Sequence, residues 1–216
     1  MQNTLFSADA EYRSTSQHHS IPLYDGELLY VSSFFSLQEA DILFADLHDT
    51  IAWQHDAMKL YGKTIPFPRL SAWYGDVGAV YSFSGLTFDP HPWTTSLSTI
   101  KHRIEALAGV QFNSVLLNRY RTGRDYMGWH SDDERELGIN PVIASVNLGA
   151  ERLFQFRRKN NHSEKLEILL EHGSLLIMRG AIQHHWQHQL PKTAKPLGER
   201  INATFRIIHT QKKASI

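Results

Sequence analysis

From residue 114 onward the spacing of apolar residues changes, and that change does most to limit the fold. The segments SVLLNRY, VIASVNL, RLFQFRR, LEILLE, SLLIM and INATFRII are short and rich in β-branched and aromatic residues. Turn formers separate several of them, among them Thr122-Gly123, Asn140-Pro141 and Asn160-Asn161. Short runs bounded in this way read as strands. Upstream the period is helical. Ser36, with Glu39 three residues on, forms a capping box, and Leu37, Ala40, Leu43, Phe44 and Leu47 follow at helical spacing. A second helix is expected over 94–108, with Leu97, Ile100, Ile104 and Leu107 on one face and Gly109 to close it. Two helices followed by about six or more strands predict an α+β protein with a β-sandwich or barrel at its centre.

The chain has 216 residues, 42% of them hydrophobic, which fits one large domain with a sizeable core. Residues 1–20 are expected to be a weakly ordered arm and 21–216 a single domain. Between the helices, LYGKTIPFPRLSAWYGDVGAVYSFSG is aromatic and punctuated by Pro and Gly. It reads as loops and a strand or two over a surface or mouth.

Cysteine is absent, which excludes disulfides, thiolate metal sites and a cysteine nucleophile. Any metal ligands must then come from His, Asp and Glu. The 22 basic and 22 acidic side chains cancel, so a phosphate-binding surface has to be local. No apolar run approaches the ~18 residues a membrane helix needs. The N-terminus is polar and lacks the apolar centre of a signal peptide. The expectation is a soluble intracellular protein.

GWHSDDERE offers the first candidate site. In an extended segment positions i and i+2 point the same way, so His130 and Asp132 can face one metal. Redox-active iron is commonly held by two His and one carboxylate with positions left open. GAIQHHWQHQLP supplies His184, His185 and His188 as partners, but with 13 His in the chain a downstream His is weak evidence alone. His172, before a Gly at a turn into an apolar strand, reads as structural.

ERINATFRII says more. Ile201, Ala203, Phe205 and Ile207 alternate with Arg200, Asn202, Thr204 and Arg206. Arg normally stays in water, yet here two share one face of an apparent core strand. Their α-carbons would lie ~20 Å apart at ~3.3 Å per residue. With both arms turned inward, the guanidinium groups approach the span of a small dicarboxylate, which Arg binds as a planar two-pronged donor. The plain alternative is surface salt bridging on an edge strand. Asn118 and Tyr120, also two apart, share a face of LLNRY. The ensemble suits 2-oxoglutarate, a dicarboxylate whose oxo group chelates iron.

The ordered set Asn118-x-Tyr120, His130-x-Asp132, His188 and Arg200-x-Asn202-x-Thr204-x-Arg206 resembles the AlkB family of Fe(II)/2-oxoglutarate dioxygenases. It is most similar to the branch that repairs N-alkylated bases in DNA. NRYRTGRDYMGWHSDDERELG, IASVNLGAERLFQFR, HGSLLIM and HWQHQLP each resemble family segments. The likeness runs from about Ile21 to Ile208 and is dense from residue 74.

The resemblance implies a double-stranded β-helix (jelly-roll) core over about 110–210, N-terminal helices, and a nucleotide-recognition lid over about 50–92. It makes His130, Asp132 and His188 the iron ligands, with His184 and His185 on the approach. Arg200, Asn202 and Tyr120 would hold the distal carboxylate of 2-oxoglutarate, and Asn118 and Arg206 the end nearer iron. The implied reaction uses O2, converts 2-oxoglutarate to succinate and CO2, hydroxylates an N-alkyl group and releases formaldehyde. A base inside a duplex must be flipped out for this. Phe83 would stack on the base and Tyr81 hydrogen-bond to it, while Asp133 and Glu134 favour a positively charged, alkylated base.

LYGK resembles a loop that enters the base stack, with Leu60, Tyr61 and Gly62 at its tip and Arg69 as a groove or phosphate contact. Residues 53–70 depart most from the family pattern. Arg157, Arg158 and Lys159 form a candidate phosphate patch. The implied partner is alkylated DNA, single- or double-stranded, carrying 1-methyladenine or 3-methylcytosine lesions. RNA or protein is the alternative substrate, and a monomer in the cytoplasm or nucleus is the expected form. A zinc hydrolase would leave Arg200 and Arg206 unexplained. A non-catalytic nucleic-acid binding module is opposed by the intact ligand set.

Overall fold

A computed structural model describes residues 18–60, 63–83 and 86–209, with only the backbone given at 58–60, 63, 81–83 and 86–88. The chain opens with a hairpin, β1 (His18–Leu23) and β2 (Gly26–Val31). Residues 18–20 of the expected arm lie in β1, and residues 1–17 lie outside the described residues. Helix α1 (Leu37–Thr50) begins at the Ser36–Glu39 capping box, with both reciprocal hydrogen bonds formed. Short strands β3 (Ala57–Leu60), β4 (Lys63–Pro66), β5 (Leu70–Gly75), β6 (Tyr81–Phe83) and β7 (Leu86–Phe88) follow. Helix α2 (Thr95–Ala108) is capped by Thr94 and closed by Gly109 in the left-handed conformation, φ 71°.

The second half is almost entirely strand: β8 (Ser114–Tyr120), β9 (Met127–His130), β10 (Ile143–Gly149), β11 (Arg152–Arg158), β12 (Lys165–Leu170) and β13 (Ser174–Arg179). A one-turn helix α3 (Ile182–His185) leads into β14 (Trp186–Leu190), and β15 (Arg200–Arg206) ends the fold. A seven-stranded sheet runs β1-β2-β13-β10-β15-β8-β5 and a four-stranded sheet runs β12-β11-β14-β9, all pairs antiparallel.

The two larger buried clusters follow from the alternation of each strand. Ile201, Ala203 and Phe205 of β15 join Val146, Val115 and Leu117 in a cluster with Leu43 and Leu47 of α1 and Leu97, Ile100 and Ile104 of α2. On the other side, Leu28, Tyr30, Ile143, Leu176 and Met178 of the large sheet meet Phe156, Ile168, Leu170 and Trp186 of the small one. Gly149 turns β10 toward β11 at φ 86°, where a side chain would run into the Glu199 carbonyl and the Phe44 ring. Among the described residues no helix is long and apolar enough to cross a membrane.

Candidate active site

The polar face of β15 lies between the two sheets. Arg200, Asn202, Thr204 and Arg206 are all buried, and β15 sits centrally between β10 and β8, which rules out the edge-strand alternative. Register sets Arg200 opposite Tyr120 and Asn202 opposite Asn118 on β8, with Asn147 and Ser145 of β10 opposite Asn202 and Thr204. All of these but Asn147 line one pocket together with Leu116, His130, Asp132 and His188.

The small sheet contributes two of the three metal-binding candidates. His130 at the end of β9 pairs directly with His188 of β14, and their rings lie 4.2 Å apart. Asp132 follows two residues later. The ligand atoms of His130, Asp132 and His188 all lie within 4.8 Å of one another. The Nδ1 of His130 is 2.8 Å from the Gly128 carbonyl, a contact that fixes the ring and leaves Nε2 facing Asp132 Oδ1 at 3.8 Å. Phe154 and Phe156 wall His188 from behind, with ring separations of 5.3 Å and 5.9 Å.

The electrostatics suit a cation at this point. Burial lowers the His130 pKa, and burial together with neighbouring His130 pushes His188 down to about 3, so both imidazoles are neutral with lone pairs available. Burial alone would raise Asp132. The Arg206 guanidinium, with His188 and His130, instead holds it well below the usual carboxylate range. Arg206 Nη2 donates to Asp132 Oδ2 at 2.8 Å, which leaves Oδ1 toward the histidines. Two imidazole nitrogens and one carboxylate oxygen converging with open space beside them match the donor set of a non-haem iron site.

The rest of the pocket suits a dianion. Burial lowers Arg200 to about 10, yet it remains charged at neutral pH. Its Nη2 donates to Asn147 Oδ1, its guanidinium lies 5.3 Å from the Tyr120 ring, and its buried Nε has no hydrogen-bond partner among the described residues. That orphaned donor, on a cation without a carboxylate partner, fits an incoming carboxylate. Asn118 accepts from Arg69 Nε at 2.7 Å through Oδ1, so its amide nitrogen is left to donate. The Asn202 amide is held within the sheet, donating to Ser145 Oγ at 2.8 Å and accepting from Thr204 Oγ1 at 2.9 Å.

Several expectations need correction or lie elsewhere. Arg69 is 4% exposed and bonded to Asn118, so it forms part of the interior and cannot reach along a nucleic-acid groove as placed here. Arg157, Arg158 and Lys159 do not form one patch, because strand alternation turns Arg158 inward and the other two have separate partners. Arg158 points inward to Asp25 at 2.6 Å, Arg157 lies over Trp129 outside, and Lys159 pairs with Asp133 at 2.9 Å. Asp133 is exposed and Glu134 half-buried, both directly after the ligand Asp132. His184 and His185 are exposed on α3. His172 is structural: its Nδ1 accepts from Gly149 N–H at 2.8 Å and its Nε2 faces Asp41 at 3.2 Å. Tyr81 and Phe83 are described only as backbone of β6, and Leu60 as backbone of β3, while Tyr61 and Gly62 lie outside the described residues.

The sequence reading missed Arg152. Its guanidinium is buried, donates to the carbonyls of Asp125 at 3.1 Å and Pro191 at 2.6 Å, and lies 6.0 Å from the Tyr120 ring. The signal was present: Arg152, Phe154 and Phe156 share one face of RLFQFRR.

The profile of the 2OG-Fe(II) oxygenase superfamily matches residues 27–206. The DNA oxidative demethylase ALKBH2 of Bos taurus is 42% identical over 193 residues, covering 84% of this chain and 69% of that protein. The alpha-ketoglutarate-dependent dioxygenase alkB homolog 3 of Rattus norvegicus is 42% identical over 185 residues, covering 82% of this chain. The chain spans 62% of the length of that second relative. The solved structure of OsALKBH1 superposes with a TM-score of 0.60 at 17% identity, covering 88% of this chain and all of that one, a likeness of fold.

Proposed function

The chain belongs to the AlkB family within the 2OG-Fe(II) oxygenase superfamily, and from that membership we propose that it oxidatively removes N-alkyl groups from damaged bases in DNA. The observation that carries this reading is the convergence of His130, Asp132 and His188 beside a pocket walled by buried Arg200 and Arg206. We assign iron to the three convergent side chains and 2-oxoglutarate to the arginine-lined wall. Bound together, they supply the chemistry of the reaction: O2 is reduced, 2-oxoglutarate becomes succinate and CO2, and the N-alkyl carbon gains a hydroxyl group. The hydroxymethyl product then breaks its C–N bond, releasing formaldehyde and restoring the base.

The chain's own side chains bind and orient. Arg200, with Tyr120 against its guanidinium, takes the far carboxylate, and Asn202 keeps the adjoining wall polar and rigid. Asn118 and Arg206 serve the end nearer the metal, Arg206 also holding Asp132 in its ionised form. Phe154 and Phe156 keep water away from His188. The hairpins β3–β4 and β6–β7, which carry Leu60, Tyr81 and Phe83 in their backbones, are assigned to base recognition, with Asp133 and Glu134 beside the metal ligands favouring a cationic base.

The test is direct. Purified protein is incubated with Fe(II), 2-oxoglutarate and oligonucleotides bearing 1-methyladenine or 3-methylcytosine, as single-stranded DNA, duplex DNA and RNA. Base mass, succinate and formaldehyde are then measured. Loss of the methyl mass from DNA with matching succinate is expected. Demethylation of RNA alone would move the substrate to RNA, and succinate without any demethylation would remove nucleic acid from the reading.

A further inference from the structure

Three consecutive residues of the loop after β9 are tied to the turn that leads into the strand carrying His188. Ser131 Oγ donates to the Trp186 carbonyl at 2.8 Å, and the Asp132 backbone N–H donates to Gln183 Oε1 at 3.0 Å. Lys159 Nζ donates to both Asp133 Oδ2 and the Gln183 carbonyl, at 2.9 Å each. Of these three ties, the one from the Gln183 side chain reaches Asp132 itself. It is 1% exposed, so no solvent stands ready to replace its oxygen. Its amide nitrogen faces the Met178 thioether at 3.6 Å, a weak acceptor.

A buried primary amide beside a thioether is costly unless its other end does something that an apolar side chain cannot. Here the other end satisfies the Asp132 N–H. We infer that Gln183 is a positioning residue for the iron centre. It fixes the main chain of Asp132 while Arg206 holds Oδ2, and these two anchors at opposite ends of one residue turn Oδ1 toward His130 and His188. Because Gln183 belongs to α3, directly before β14, it also binds the Asp132 loop to the element that supplies His188. Outer partners of this kind orient metal ligands and tune their hold on the metal. The inference rests on the iron reading of His130, Asp132 and His188.

Two variants test it. Gln183→Met keeps length and burial but removes the acceptor, whereas Gln183→Glu keeps an acceptor oxygen. Affinity for Mn(II), a redox-silent stand-in, is read from the electron paramagnetic resonance of the free ion. The visible absorption of the anaerobic Fe(II)–2-oxoglutarate complex gives a second readout, and the melting temperature of metal-free protein reports folding. The Met variant should bind Mn(II) roughly 10- to 100-fold more weakly, the usual range for loss of an outer partner, with a displaced absorption band. The Glu variant should bind at least as well as wild type. A folded Met variant with wild-type Mn(II) affinity would overturn the inference, as would a Glu variant as weak as Met. If the Met variant does not fold, Gln183→Leu, which also lacks the acceptor, takes its place and is judged by the same criterion. Wild-type protein that bound no Mn(II) would instead overturn the iron reading beneath it.

Discussion

Arg200 and Arg206 are the side chains around which this site is organised, and they are used differently. Arg206 is neutralised by Asp132 at 2.8 Å. Arg200 forms no ion pair among the described residues and has one buried donor, Nε, without a hydrogen-bond partner there, which fits it to receive an anion. Truncating it as Arg200→Met should therefore weaken 2-oxoglutarate. Hydrogen bonds to charged groups contribute about 1.5–3 kcal/mol, so the KM for 2-oxoglutarate should rise on the order of 10- to 100-fold. Mn(II) affinity should stay at the wild-type value, and the melting temperature should hold or rise as an uncompensated buried cation disappears. An unchanged KM would remove Arg200 from the cofactor site. The pair was legible in the sequence because a strand alternates strictly and no solvated strand needs Ile201, Ala203 and Phe205 between its cations. Arg69 was not legible. It follows Pro66-Phe67-Pro68, where no period exists to show which way a side chain points, and an arginine there reads by default as solvated.

At the scale of elements, the helices and the apolar strands could be read and the metal-bearing strands could not. The Ser36–Glu39 box and Gly109 announce α1 and α2 by their chemistry. The strand β14 does alternate, with Trp186, His188 and Leu190 inward and Gln187 and Gln189 outward, but counting His188 as polar hides the pattern. The strand β9 is too short to show a period. The hairpin β1–β2 was missed because β1 is largely exposed. Its partner β2 nevertheless joins the two sheets through Tyr30, whose single hydroxyl proton is shared between the Leu169 carbonyl at 2.8 Å and Glu171 Oε2 at 3.0 Å. Burial, with Glu171 alongside, raises the Tyr30 pKa from 10.0 to about 12. The fold thus favours the neutral phenol. Its contribution is fully present below pH 10.0 and is lost as pH rises through about 12. Tyr30→Phe should cost about 1 kcal/mol at neutral pH and lose less further stability than wild type across that alkaline window. Melting temperatures measured against pH check this, and parallel alkaline slopes for the two proteins would refute it.

For the molecule as a whole, each sheet supplies one half of the chemistry. The large sheet turns its apolar face to α1 and α2 and its polar face to the cofactor pocket, while the small sheet brings His130 and His188 to the opposite wall. Neither half makes a site alone. The family resemblance supplied the jelly roll; periodicity alone went no further than a sandwich or barrel. Coupling of 2-oxoglutarate oxidation to dealkylation at His130, Asp132 and His188 is the reaction proposed for this chain. It is tested most directly by measuring succinate and formaldehyde together, from wild type and Asp132→Ala, on a 1-methyladenine oligonucleotide under air. Matched yields of both products are expected from wild type and neither from Asp132→Ala. Turnover that persists in Asp132→Ala, or formaldehyde released without succinate, would contradict it.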